Sequence, residues 1–147
     1  MEQNNLFHLI HTLEQMNNEN IVRFTRQFPF PIGISPILVL SELKQQGEKK
    51  QVELAELLGY TKGAMTSIAN KLVANGLAKR IYDENDRRII QLCITEKGAE
   101  ALNKAQQIGE EIYIDIFSVL TEEELTTYLT LQQKLLDGII QRKKNKF

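Results

Sequence analysis

Met65, Ile68, Ala69 and Leu72 recur at the spacing of one helical face, which leaves Lys62, Gly63, Thr66, Ser67, Asn70 and Lys71 on the opposite face. Hydroxyl and amide groups there donate and accept hydrogen bonds, and their small size allows close approach to a partner. The two lysines add positive charge. From Thr61 to Ala78 there is no aspartate or glutamate at all. A polar helix face is ordinarily a solvated one, but such faces usually mix both signs of charge. A small, hydrogen-bonding, acid-free face is suited instead to the base edges and phosphates of a nucleic acid.

A second group follows a short distance along the chain. Asp86, Arg87 and Arg88 sit in a polar tip between two segments that alternate apolar and polar residues, Leu77 to Asp83 and Ile89 to Ile94. This pattern predicts a β-hairpin. An arginine on such a tip can enter a narrow groove where negative potential is concentrated. The aspartate can hold it there by a charge-assisted hydrogen bond. Taken alone, the pair is an ordinary surface ion pair of little energetic weight. Together with Arg80 on the first strand, it forms a basic element next to the helix face.

Positioning these groups takes a specific order of elements. Residues 51–58 read as a short helix burying Val52, Leu54, Ala55 and Leu58. Gly59-Tyr60 makes a tight turn, and Thr61 caps a second helix that runs to about Asn75 and stops at Gly76. Helix, turn, helix and hairpin place a recognition helix at about 61–75 and a wing at about 82–90. Upstream, a long helix over about 5–27 has a polar middle at Asn17–Asn20 and ends at Phe28-Pro29-Phe30-Pro31. Ser35-Pro36 opens another helix, with serine as its cap and proline in first place. That helix ends near Gln46-Gly47, and Glu48-Lys49-Lys50 reads as a surface loop. Downstream, one helix runs from Thr95 to about Leu120. Thr121 and Glu124 form a capping box that starts the last helix. The fold class is mainly α with a small β-hairpin wing. Three regions are expected: 1–33, an N-terminal dimerisation helix and linker; 34–98, the winged helix-turn-helix; and 99–147, C-terminal dimerisation helices.

Composition narrows the function. The 147 residues carry a net charge of −1, so the chain is no polycation, but residues 49–97 hold nine basic and six acidic side chains. A local basic patch is the relevant footprint for nucleic acid. There is no basic and apolar leader and no run of about 18 apolar residues, so a cytoplasmic location without membrane association is expected. No nucleophile with a paired base, no phosphate-binding glycine loop and no metal cluster is legible, so neither catalysis nor a cofactor is expected. The single cysteine, Cys93, excludes an internal disulfide, and as a wing-strand residue it reads as a small filler. His8 and His11 lie three apart on the first helix, a spacing better explained by a surface than by a metal. Phe24, Phe28 and Phe30 cluster where the first helix ends, as core or as the lining of a ligand pocket.

Residues 54–98 resemble the winged helix-turn-helix core of the MarR family of bacterial transcriptional regulators. The likeness rests on Leu54-Ala55, Leu58-Gly59, Thr61, Thr66, Leu72, Gly76-Leu77, Arg80, Asp86-Arg87-Arg88, Leu92, Ile94-Thr95 and Gly98. The flanking helices agree with it, so it extends over nearly the whole chain. The resemblance implies a homodimer whose outer helices intertwine, with each protomer presenting one winged domain to half of a pseudo-palindromic operator in double-stranded DNA. It further implies repression and release from DNA by a small aromatic effector. Gly63 stands where the family often has a polar side chain, and the first helix lacks the reactive cysteine of peroxide-sensing members. The competing reading is a winged-helix protein-interaction module that dimerises without binding DNA. Arg87, Arg88 and the acid-free helix face argue against it.

Overall fold

The computed structural model describes residues 3–146. They form two compact units, one reaching to Gly109 and the other beginning at Glu110.

The first unit opens with α1 (Gln3–Gln27), which stays helical through the polar Asn17–Asn20 segment and buries none of its side chains. It ends at Gln27, just before Phe28-Pro29-Phe30-Pro31, as the prolines require. Helix α2 (Ile34–Gln46) begins two residues earlier than expected, with Gly33 as its cap. Ser35 therefore does not cap it. The extended backbone of Gly33 supplies the helix start, and Pro36 falls in the first turn, where its missing N–H costs nothing. Val39, Leu40 and Leu43 of α2 are fully buried or nearly so.

Lys49–Lys50 is a strand, β1, and not the loop expected from its charge. It pairs antiparallel with β3 (Ile90–Ile94), Lys49 opposite Leu92 and Lys50 opposite Gln91. Strand β2 (Ala78–Tyr82) pairs with the other edge of β3, giving the order β1-β3-β2. The pairing partner of β1 lies about forty residues away in sequence, so no local pattern announces it.

Helix α3 (Gln51–Leu58) follows β1 directly. It buries Leu54 and Ala55, while Leu58 is half-buried. Val52, expected in the core, is 62% exposed, because the start of α3 lies at the rim of a cleft and not over the core. Gly59 adopts φ 73°, a left-handed turn that only glycine makes without strain. Helix α4 (Lys62–Ala74) packs on α2, α3 and β2 through Met65, Ala69 and Leu72, each 1% exposed or less. Burial of each large side chain contributes about 1.5–3 kcal/mol.

The end of α4 is joined to the start of α5 (Glu96–Phe117) by a compact set of bonds. Thr95 donates its hydroxyl to the Gly76 carbonyl at 2.6 Å and its N–H to Leu77 O at 3.1 Å. The same hydroxyl oxygen accepts from Gly98 N at 3.0 Å, and Lys97 Nζ donates to Asn75 O at 3.0 Å. Ala101, Leu102 and Ala105 continue α5 along a buried face.

The second unit holds the last part of α5 and α6 (Glu122–Lys146). The expected capping box is present: Glu124 N donates to Thr121 Oγ1 at 3.2 Å, and Thr121 N donates to Glu124 Oε1 at 3.0 Å. The Thr121 backbone N–H, and secondarily the Thr121 side chain, hold the Glu124 carboxyl below its ordinary pKa. Tyr113, Phe117 and Tyr128 form a chain of ring contacts at 6.0 and 5.6 Å. No residue of α6 is buried, and Leu129, Leu135, Leu136, Ile139 and Ile140 all face outward.

Candidate nucleic-acid interface

Thr61 Oγ1 accepts from Ala64 N at 3.1 Å, which satisfies one of the free donors at the head of α4 and fixes where the helix begins. From that start the 3.6-residue period sets the faces. Lys62, Gly63, Thr66, Ser67, Asn70 and Lys71 are all exposed, as their spacing requires. The space beyond Gly63 is open, so its missing side chain leaves a gap on this face. Thr66 donates its hydroxyl to Lys62 O at 3.0 Å, which keeps the oxygen available outward as an acceptor.

The wing tip is closed by Asp83 N donating to Ile89 O at 3.2 Å and Ile89 N donating to Asp86 O at 3.0 Å. Asp86 and Arg88 meet as the sequence suggests. Arg88 Nε donates to Asp86 Oδ1 at 3.0 Å and Nη2 to Oδ2 at 3.1 Å, a two-point pair reinforced by Arg88 N to Oδ1 at 3.0 Å. The guanidinium, and secondarily the backbone N–H, hold the Asp86 carboxyl below its ordinary pKa. The Arg88 side chain is nevertheless 91% exposed. The tip is therefore an aimed cation with no packing role. Arg87 beside it is also exposed.

Arg80 lies on β2 and faces inward along the sheet. Its Nη2 donates to Asn70 Oδ1 at 2.6 Å and its Nε to Gln51 Oε1 at 3.1 Å. These bonds connect β2 with both helices of the helix-turn-helix. Gln51 carries no sequence signal for this role, because its partner is 29 residues away.

The aromatic residues also come together. The rings of Phe24 and Phe28 lie 5.1 Å apart and those of Phe28 and Phe30 lie 5.4 Å apart, and all three line a cavity of about 370 Å³. A separate cleft of about 410 Å³ opens between α3, α4 and the base of the wing, bordered by Val52, Tyr60, Lys62, Met65 and Arg88. Cys93 is partly exposed on β3, opposite Lys79. His8 and His11 are exposed on α1. Among the described residues no three His, Cys, Asp or Glu side chains are grouped as metal ligands, and no helix is long and apolar enough to cross a membrane.

Comparison with known proteins agrees with this arrangement. The chain is 34% identical over 97 residues to YpoP of Bacillus subtilis, an uncharacterised HTH-type transcriptional regulator, covering 66% of this chain and 69% of that protein. It is 31% identical over 105 residues to MdtR of Bacillus subtilis, an HTH-type transcriptional repressor, covering 70% and 68%. The crystal structure of a mutant MarR from Escherichia coli complexed with operator DNA superposes with a TM-score of 0.71 at 24% identity, covering 92% of this chain and 99% of that one. The MarR family profile matches residues 34–90, from the start of α2 through the wing to the start of β3. With the helix-turn-helix, the wing and the flanking helices in their expected order, the chain belongs to the MarR family.

Proposed function

We propose that the chain is a transcriptional repressor that binds a pseudo-palindromic operator in double-stranded DNA as a homodimer, in the cytoplasm and without catalysis. In this reading α4 lies in the major groove, with Thr61, Lys62, Gly63, Thr66, Ser67, Asn70 and Lys71 toward the DNA, and the wing brings Arg87 and Arg88 to the neighbouring minor groove. Residues 34–98 are the DNA-binding region, while 1–33 and 99–147 pair the protomers.

The observation that carries the reading is the wing tip. Asp86 holds Arg88 by two side-chain bonds while leaving it 91% exposed. A fixed, exposed arginine at a hairpin tip has no role in the fold and is suited to a groove of high negative potential. The exposed, acid-free face of α4 supports the same conclusion. The name of MdtR supports repression, and the MarR complex with operator DNA supports binding to an operator. Dimerisation is supported by the outward apolar residues of α1 and α6, among them Leu9, Leu13, Leu129 and Leu135. So many exposed large apolar side chains on a single helix rarely face water in a monomer.

A small aromatic effector is the further part of this proposal. The cavity lined by Phe24, Phe28 and Phe30 has a volume of about 370 Å³, which suits a single-ring compound.

The test is a mobility shift on the DNA upstream of the chain's own gene, with wild type and Arg88→Ala, at several salt concentrations. Specific retention that falls with Arg88→Ala is expected. A folded dimer that retains no DNA would replace this reading with the protein-interaction module.

A further inference from the structure

We propose that Arg80 sets what Asn70 reads: by holding the side-chain oxygen of Asn70, it turns that amide into a hydrogen-bond donor toward DNA, so that the base pair it faces is recognised through an acceptor atom. The inference rests on the reading that α4 enters the major groove.

A guanidinium only donates hydrogen bonds, so the atom of Asn70 that meets it must be the oxygen. That contact is 2.6 Å, short and charge-assisted. A second bond, from Arg80 Nε to Gln51 Oε1 at 3.1 Å, fixes the guanidinium plane. Arg80 is half-buried on β2, whereas Asn70 is exposed on the outer face of α4. The amide oxygen is thus drawn back toward the sheet, and the amino group is the part left to face outward.

This arrangement removes the usual asparagine–adenine pairing. That pairing needs the oxygen to accept from the adenine amine while the amino group donates to N7. With its oxygen engaged by a cation and drawn back toward the sheet, Asn70 presents its N–H outward, and the adjacent positive charge disfavours the approach of the amines of adenine and cytosine to the oxygen's second lone pair. The acceptors remain: N7 and O6 of guanine, N7 of adenine and O4 of thymine. Arg80 is accordingly a positioning residue that acts through Asn70. Thr66, one turn earlier, bonds to Lys62 O and not to Arg80, so its own preference serves as an internal control.

The test begins with selection of operators from a randomised duplex pool by the full chain and by Asn70→Ala. The base pair whose preference Asn70→Ala abolishes is the one Asn70 faces. At that pair, base analogues then delete single major-groove groups. Acceptors are deleted with 7-deazapurines or a thymine analogue lacking O4, and amines with purine in place of adenine or pyrimidinone in place of cytosine. For wild type, acceptor deletion should weaken binding about fivefold, the lower end of what a good side-chain–base pair discriminates, and amine deletion less than twofold. Arg80→Met frees the oxygen and should make amine deletion costly. Arg80→Lys keeps a cationic donor but not the fork that also holds Gln51, and should shift the pattern less than Arg80→Met does. Asn70→Asp, holding Arg80 with one oxygen and presenting the other, should reverse the pattern, and it decides the question if Arg80→Met fails to fold. None of the Arg80 variants should alter the preference that depends on Thr66. Equal cost of amine and acceptor deletion in wild type, an unchanged pattern in Arg80→Met and Asn70→Asp, or no base pair that responds to Asn70→Ala would each overturn the role of Arg80 while leaving the DNA-binding function intact. Enrichment of no sequence by wild type would overturn both.

Discussion

Replacement of Arg88 by alanine separates DNA grip from fold. The side chain is 91% exposed and its bonds run to Asp86, two residues away, so nothing in the core depends on it. The melting temperature of Arg88→Ala should match that of wild type. Its loss at the DNA is another matter. A groove-inserted arginine contributes roughly 1–3 kcal/mol per protomer. Two wings act on one operator, so the dimer should lose roughly 2–6 kcal/mol, which at about 1.4 kcal/mol per tenfold raises Kd by at least about 30-fold. The loss should be larger for operators with A·T-rich flanks, whose narrow minor groove concentrates the negative potential. Lys71→Ala should behave differently: if it grips phosphate, it weakens all sequences alike and lowers the salt slope by about one unit per contact. Fluorescence anisotropy with operator and scrambled duplexes over a salt series measures all of these quantities. An Arg88→Ala protein that binds operator within twofold of wild type, with the same flank preference, would refute the account of the wing.

Leu136→Glu or Ile140→Glu places a charge on the outward apolar face of α6 and should shift sedimentation from about twice 16.9 kDa toward the monomer, with DNA binding lost in parallel. A Cβ on Gly98 would run into the Leu77 carbonyl, which is backbone and cannot turn aside, so Gly98→Ala should cost about 3 kcal/mol by urea unfolding. The lowered carboxyl pKa of Asp86 means that its bond to Arg88 is intact at and above the ordinary value of 3.8 and is lost only as pH falls through the lower folded value; NMR of the Arg88 side-chain N–H should follow that course. A screen of phenolic and salicylate-like compounds should raise the melting temperature and release DNA, and a hit should lose its effect in Phe28→Ala.

The parts that were legible in the sequence are those fixed by neighbours a few residues apart. Gly59 and Thr61 announced the turn and the start of α4, and Thr121 with Glu124 announced the start of α6, because a cap and its partner lie within one helical turn. The alternation on either side of Asp86 gave the wing, since strand period and turn chemistry are local. The failures share a different cause. Lys49–Lys50 is a strand only because β3 arrives from forty residues downstream to pair with it. Ser35 lost its capping role to Gly33, where backbone conformation and not side-chain type set the boundary. Val52 follows the apolar pattern of a core position, yet it lines a cleft that exists only once the wing base folds over α3. The bonds from Arg80 to Asn70 and Gln51 were equally invisible. Composition and spacing marked Arg80 and Asn70 as parts of the site, but only the folded chain brings them together.

The mounting of α4 has an evolutionary consequence. Its head is set by Thr61, its tail is fastened through Gly76, Leu77 and Thr95, and its inner face is held by Met65, Ala69 and Leu72. Among the described residues, Asn70 is the one outward residue of α4 whose side chain is bonded to another element, through Arg80. Mutation can therefore explore Lys62, Gly63, Ser67 and Lys71 with little loss of stability, and duplicated copies can drift toward new targets on an unchanged frame. Asn70 is the exception: a change there also leaves a half-buried arginine without one of its partners. This position should be the slowest on the outward face to diverge, and when it does change, Arg80 should change with it.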